Sequence, residues 1–97
     1  MTYTYETEPK FRTNFKRLTK KNKVLAERIV NKIRDICEYP ERGDPLSGDL
    51  VGMWSIHIAK HYVIIYEIVH SKEHIILSTF QVLPRSRPVY KRSLHLA

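Results

Sequence analysis

Residues 51–82 carry three apolar runs, Val51 to Ala59, Tyr62 to His70 and His74 to Val82, joined only by Lys60–His61 and Ser71–Glu73. Joints this short cannot return the chain to the start of a parallel neighbour. Consecutive runs are therefore predicted to be antiparallel strands. The first run alternates, with Trp54, Ile56 and Ile58 on one side and Ser55, His57 and Ala59 on the other. The Trp54 side is expected to face a core, because Trp is the largest apolar residue available. His57 is then expected on an outward face. The second run, YVIIYEIV, is apolar on both sides and predicts a central strand, with Tyr66 packed in the sheet. Neither joint contains the Asn-Gly of the tightest hairpins, so the turn types stay open.

Upstream, TYTYETE alternates with period two and predicts a short strand over Tyr3 to Glu6. Pro9 suits the first turn of a helix, with Thr7 as its cap. Phe11, Phe15 and Leu18 then recur at helical spacing. Asn22 marks a break, after which Leu25, Ile29, Ile33 and Ile36 form one face of a longer helix, with Cys37 packed at its end. Two helices with one stripe each and a short joint predict an antiparallel hairpin against a flat partner. YPERGDPLSGDLVG is rich in breakers and reads as loop. The expectation is one α+β domain over residues 1–97. A helical hairpin packs on one face of a four-stranded antiparallel sheet in the order βααβββ, with residues 84–97 as a basic tail.

Seventeen Lys and Arg against ten Asp and Glu leave a net charge of +7. Between Lys10 and Lys23 stand seven basic residues and no acid: Lys10, Arg12, Lys16, Arg17, Lys20, Lys21 and Lys23. Such a run suits phosphate backbone, whether RNA or operator DNA, and is otherwise a solvated helix face. One cysteine excludes an internal disulfide and fits a reducing compartment. With no stretch of membrane-spanning length and no apolar leader core, a cytoplasmic protein with no membrane partner is expected. His57 and His61 straddle a turn without a third ligand in pattern, so no metal site is expected. His61, His70 and His74 lie near turns and read as solvated. Gly43, Gly48 and Gly52 match no nucleotide-binding loop, and no cofactor is expected.

PLSGDLVGMWSIHI, YVIIYEI and RSRPVY, set in a short basic chain of this element order, resemble the RelE/ParE superfamily of type II toxin–antitoxin toxins. The PL-x-G-x-L-x-G-x-W-S segment is most similar to the YoeB-like members. The resemblance implies a ribosome-dependent, metal-independent endoribonuclease that cuts translated mRNA and is silenced by a cognate antitoxin. Asp44, directly before the PL pair, holds the place of the family's proposed general base. Ser55 and His57 fall where RelE-like toxins carry basic residues, and Arg85, Arg87 and Tyr90 match the C-terminal arginines and aromatic residue. Where the family has an arginine three residues before the hairpin tyrosine, this chain has Val63 before Tyr66.

Metal-free cleavage at the ribose 2′-OH needs a base, an acid and positive charge at the phosphorane. Asp44 or His57 is the candidate base, and His57 or Tyr90 the candidate acid. Arg85 or Arg87 with Lys60 would supply charge. Lys10, Arg12, Lys16, Arg17, Lys20, Lys21, Lys23 and Lys60 are candidate RNA contacts. The sequence leaves two alternatives open. One is a ParE-like toxin that inhibits DNA gyrase by protein contact, favoured by Val63. The other is a catalytically inactive relative that binds only antitoxin or RNA.

Overall fold

The computed structural model describes residues 2–83. In order they form β1 (Thr4–Thr7), α1 (Pro9–Thr19), α2 (Lys23–Glu38), β2 (Asp44–Pro45), β3 (Met53–Ile58), β4 (Tyr62–Val69) and β5 (His74–Val82). Short 3-10 turns at Pro40–Arg42, Gly48–Leu50 and His70–Lys72 link them. The sheet has five strands in the order β1-β5-β4-β3-β2.

This corrects the expected four-stranded antiparallel sheet in two ways. First, β1 joins the edge strand β5 in parallel, with Thr4 opposite His74 and Thr7 opposite Leu77. The three C-terminal strands pair consecutively and antiparallel, so β1 is left an outer edge, and α1 and α2 form the crossover that a parallel partner needs. Second, the breaker-rich loop contains a two-residue strand, with Asp44 opposite Ser55 and Pro45 opposite Trp54. Pro45 is tolerated there because β2 lies at the sheet edge.

Helix α1 begins at Pro9, whose missing N–H costs nothing in a first turn. Thr7 is not its cap. Thr7 ends β1, and its carbonyl and hydroxyl both accept from the Arg12 guanidinium. Asn22 caps α2, its side-chain oxygen accepting from the Leu25 N–H at 3.0 Å. Asn22→Ala should cost about 1 kcal/mol, seen as a lower thermal midpoint with an unchanged fold.

Both helices lie on one face of the sheet. Phe11, Leu25, Ile29, Ile33 and Ile36 pack there with Ile56, Ile58, Ile64, Ile75, Leu77 and Phe80. A bulge between Ile65 and Tyr66 explains how β5 contributes both Leu77 and Phe80. Ile65 pairs with Thr79 and Tyr66 with Leu77, so Ser78 is an extra residue that shifts the alternation by one. Without it Phe80 would face away from the helices. Among the described residues, no helix is long and apolar enough to cross a membrane.

Candidate functional site

Directly opposed residues share a sheet face. Asp44 opposes Ser55, Ser55 opposes Ile65, and His57 opposes Val63. Asp44, Ser55 and His57 therefore lie together on the face away from the helices. Diagonal neighbours of this kind stand roughly 7–8 Å apart, close enough for two side chains to flank one phosphodiester. Asp44 is exposed and His57 half-buried. Two of the expected catalytic residues are thus brought together, and Lys60 sits exposed in the β3–β4 turn beside the His57 end of the strand. Arg85, Arg87 and Tyr90 lie outside the described residues.

The face is less open than its alternation suggests. Ser55 is fully buried rather than outward and wet. Leu46 folds back from β2, its N–H bonded to the Met53 carbonyl, and packs with Val63 and Ile65 as a second small apolar cluster. Met53 and Leu83 complete that cluster. The Ser55 and Thr79 hydroxyls flank Ile65, and neither has a hydrogen-bond partner among the described residues. Val63, where the resemblance places an arginine, is completely buried under this cover.

The basic run sits elsewhere. Lys10, Arg12, Lys16, Arg17, Lys20, Lys21 and Lys23 are all exposed, on α1, its joint to α2 and the first residue of α2. Helix α1 packs over β5, where the Asn14 amide donates to the Phe80 carbonyl at 2.8 Å. The sheet therefore stands between this run and His57. Arg12 is engaged by Thr7, and Arg17 donates to Asn14.

Two histidines expected to be merely solvated also make side-chain bonds, His74 to β1 and the exposed His70 to the residue before that strand and to the loop. The His74 ring bonds the Thr4 hydroxyl through Nδ1 at 2.6 Å and the Glu6 carboxylate through Nε2 at 2.9 Å. His70 meets the Tyr3 hydroxyl at 2.9 Å and the Glu41 carboxylate at 3.3 Å. Their proximity to turns hides the bonds to Tyr3, Thr4 and Glu6, since these partners lie some seventy residues away in sequence. Cys37 is buried, which pushes its thiol pKa up and keeps it unreactive. Among the described residues no three His, Cys, Asp or Glu side chains gather as a metal would need.

The loop that delivers Asp44 is tied to the core. Tyr66 is fully buried on the helix side, and its hydroxyl donates to the Pro40 carbonyl at 2.8 Å and accepts from the Gly43 N–H at 3.3 Å. Gly43 has no room for a side chain, because a Cβ there would lie 2.3 Å from the Ser55 carbonyl oxygen and 2.7 Å from the Tyr66 hydroxyl. Gly43→Ala should cost about 1–3 kcal/mol in denaturant unfolding, since the obstructing carbonyl belongs to a paired strand.

Burial pushes the Tyr66 hydroxyl up to about 12, helped by the nearby Asp44 and Glu41 charges and opposed by the Gly43 N–H. The unfolded chain ionises first, near pH 10, so the folded form holds this contribution below pH 10 and loses it as pH rises towards 12. Stability should fall over that window by about 2–3 kcal/mol, and Tyr66→Phe should flatten this part of the alkaline unfolding curve.

The ParE toxin of type II toxin–antitoxin system (parDE) family matches residues 5–89. An uncharacterised protein of Methanosarcina mazei is 31% identical over 68 residues, which is 70% of this chain and 79% of that protein. The fold is similar to that of the RelBE2 toxin–antitoxin complex from Mycobacterium tuberculosis (TM-score 0.73, 22% identity, 84% of this chain and 99% of that one). It is also similar to a YoeB/ParE toxin from Agrobacterium tumefaciens (0.74, 19%, 84% and 99%). The isolated RelE toxin of E. coli aligns over 96% of both chains (0.70, 14%). With the family matched along most of its length, this chain belongs to the RelE/ParE superfamily and is a toxin of a type II toxin–antitoxin system.

Proposed function

We propose that this toxin is a ribosome-dependent, metal-independent endoribonuclease of translated mRNA. The observation that carries the reading is the placement of Asp44 opposite Ser55, on one face and one strand step from His57. In this reading Asp44 takes the proton from the ribose 2′-OH, the oxygen attacks the adjacent phosphorus, and His57 protonates the leaving 5′-oxygen. Lys60 and the C-terminal Arg85 and Arg87 stabilise the phosphorane charge, and Tyr90 stacks on an unpaired base or shares the acid role. The products are a 2′,3′-cyclic phosphate and a 5′-hydroxyl. The exposed basic run on α1 contacts ribosomal RNA from the far side of the sheet, or operator DNA when the toxin sits in its antitoxin complex.

A cognate antitoxin fits a second region. The outer edge of β1 borders a groove floored by Tyr5, Phe15, Val30 and Ile33 and rimmed by Arg12 and Lys16. An extended antitoxin segment with acidic flanks would add to such an edge and bury the exposed Tyr5 and Val30.

The test is to map mRNA 5′ ends after induction, with and without translation. New ends within reading frames that need ribosomes support the nuclease. A second reading rests on the buried Val63 and the apolar cluster around it, which remove a charge-stabilising donor. It makes the toxin a gyrase inhibitor acting by protein contact, and predicts growth arrest with gyrase-dependent DNA damage and no new RNA ends. Arrest with neither would count against both readings.

A further inference from the structure

We propose that Tyr66 is a positioning residue for the cleavage reaction, its hydroxyl setting where Asp44 stands; this rests on the nuclease reading above. Tyr66 opposes Trp54, and its ring is fully enclosed by the helix-side core. Its hydroxyl is the point where that core meets the loop leading to Asp44. It holds both ends of the Pro40–Arg42 turn, by donating to the Pro40 carbonyl and accepting from the Gly43 N–H. Gly43 is thereby clasped between the Tyr66 hydroxyl and the Ser55 carbonyl, with space for neither to slip.

Asp44 follows immediately, and its pairing with Ser55 fixes which face its carboxylate takes. Asp44 is exposed, and β2 spans only two residues. Neither burial nor an extended ladder therefore holds this carboxylate. Its register is held from two sides, by the contacts at residue 43 and by Leu46, which is buried and bonded to the Met53 carbonyl, and only the first lies directly against Asp44. The buried phenol keeps its proton across the physiological range and so remains able to donate to the Pro40 carbonyl.

Two measurements test the role. The first is amide hydrogen exchange in the purified protein with Tyr66→Phe, which keeps the ring in the core and removes only the hydroxyl. The expected result is at least about tenfold faster exchange at Gly43 and Asp44, with β4 and β5 amides unchanged. Unchanged exchange at Gly43 overturns the clasp.

The second is a double-mutant cycle of Tyr66→Phe with Asp44→Asn, reading ribosome-dependent mRNA cleavage under saturating ribosomes. Tyr66→Phe alone should lower kcat by about 10–100-fold with an unchanged KM, the scale of a small misplacement of a catalytic group. In the Asp44→Asn background it should add nothing, because the group it positions is already gone. Losses that multiply independently overturn the positioning role and leave Tyr66 a fold anchor. A wild type that cuts while Tyr66→Phe cuts equally fast overturns the positioning role alone. A wild type that cuts nothing overturns the nuclease reading, and the positioning role with it.

Discussion

Val63→Arg, which introduces the residue that the resemblance places there, should destabilise the protein rather than activate it. Val63 is fully enclosed, with His57 directly across the β3–β4 pair, Gln81 across the β4–β5 pair and Leu46 above. The apolar side chains around it offer a guanidinium no acceptor, and the carboxylate on this face, Asp44, is exposed two strands away at the sheet edge. An uncompensated guanidinium there should cost about 3–5 kcal/mol, the range seen when a buried charge loses its partner. That is a large share of the stability of a small domain. Chemical denaturation of the purified variant beside wild type measures it. Val63→Ile, which keeps the apolar cover, should stay within about 1.5 kcal/mol of wild type. A Val63→Arg protein as stable as wild type would mean that Leu46 and Leu83 lift away from the sheet with little resistance.

The largest effect on activity is expected at His57. His57→Ala should reduce ribosome-dependent mRNA cleavage by about 10²–10⁴-fold, the usual contribution of a positioned acid or base. Asp44→Asn should fall in the same range. The double variant should lose much less than the product of the two, because the residues serve one proton-transfer circuit. Antitoxin binding should be unchanged in all three, since the groove beside β1 is separated from His57 by the width of the sheet. Cleavage is read by primer extension on a defined message in a purified translation mixture, and binding by titration calorimetry. If growth arrest survives both substitutions at full strength, the face carrying His57 is not the toxic one. The contact-inhibitor reading would then take its place.

Much of this architecture was legible from periodicity. The alternation of Trp54, Ile56 and Ile58 placed the core face, and the doubly apolar YVIIYEIV placed the central strand. The same alternation puts His57 on the face away from the helices, where it lies. Local patterns are silent about direction and partner, and there the reading stopped. The alternation of TYTYETE announces a strand but not a parallel one, because its neighbour is the last strand of the described chain. Asp44–Pro45 is too short to have a period. Ser55 read as outward because alternation gives only a side, and the segment that buries it, from Asp44 to Leu46, belongs to a stretch of loop signals. The same cover changes the meaning of Val63. In sequence it is a missing arginine, whereas in the fold it is one wall of an apolar cluster that Leu46 closes.

The parallel pairing of β1 with β5 also bears on how a newly made toxin matures. The β3–β4–β5 meander and the helix pair each consist of neighbours in sequence, and such contacts form early and fast. The β1–β5 ladder closes a loop of about seventy residues, the distance from Thr4 to His74. Its entropy of closure is met only after that length of chain has been synthesised. A meander that forms first would leave β5 an unpaired edge until β1 docks, with the bonds from Thr4, Glu8 and the two histidines still to be made. On that order the N-terminal strand docks last, beside the groove proposed above for the antitoxin. An antitoxin already present in the cell could engage the nascent toxin at that step, so that capture and completion of the sheet become one event.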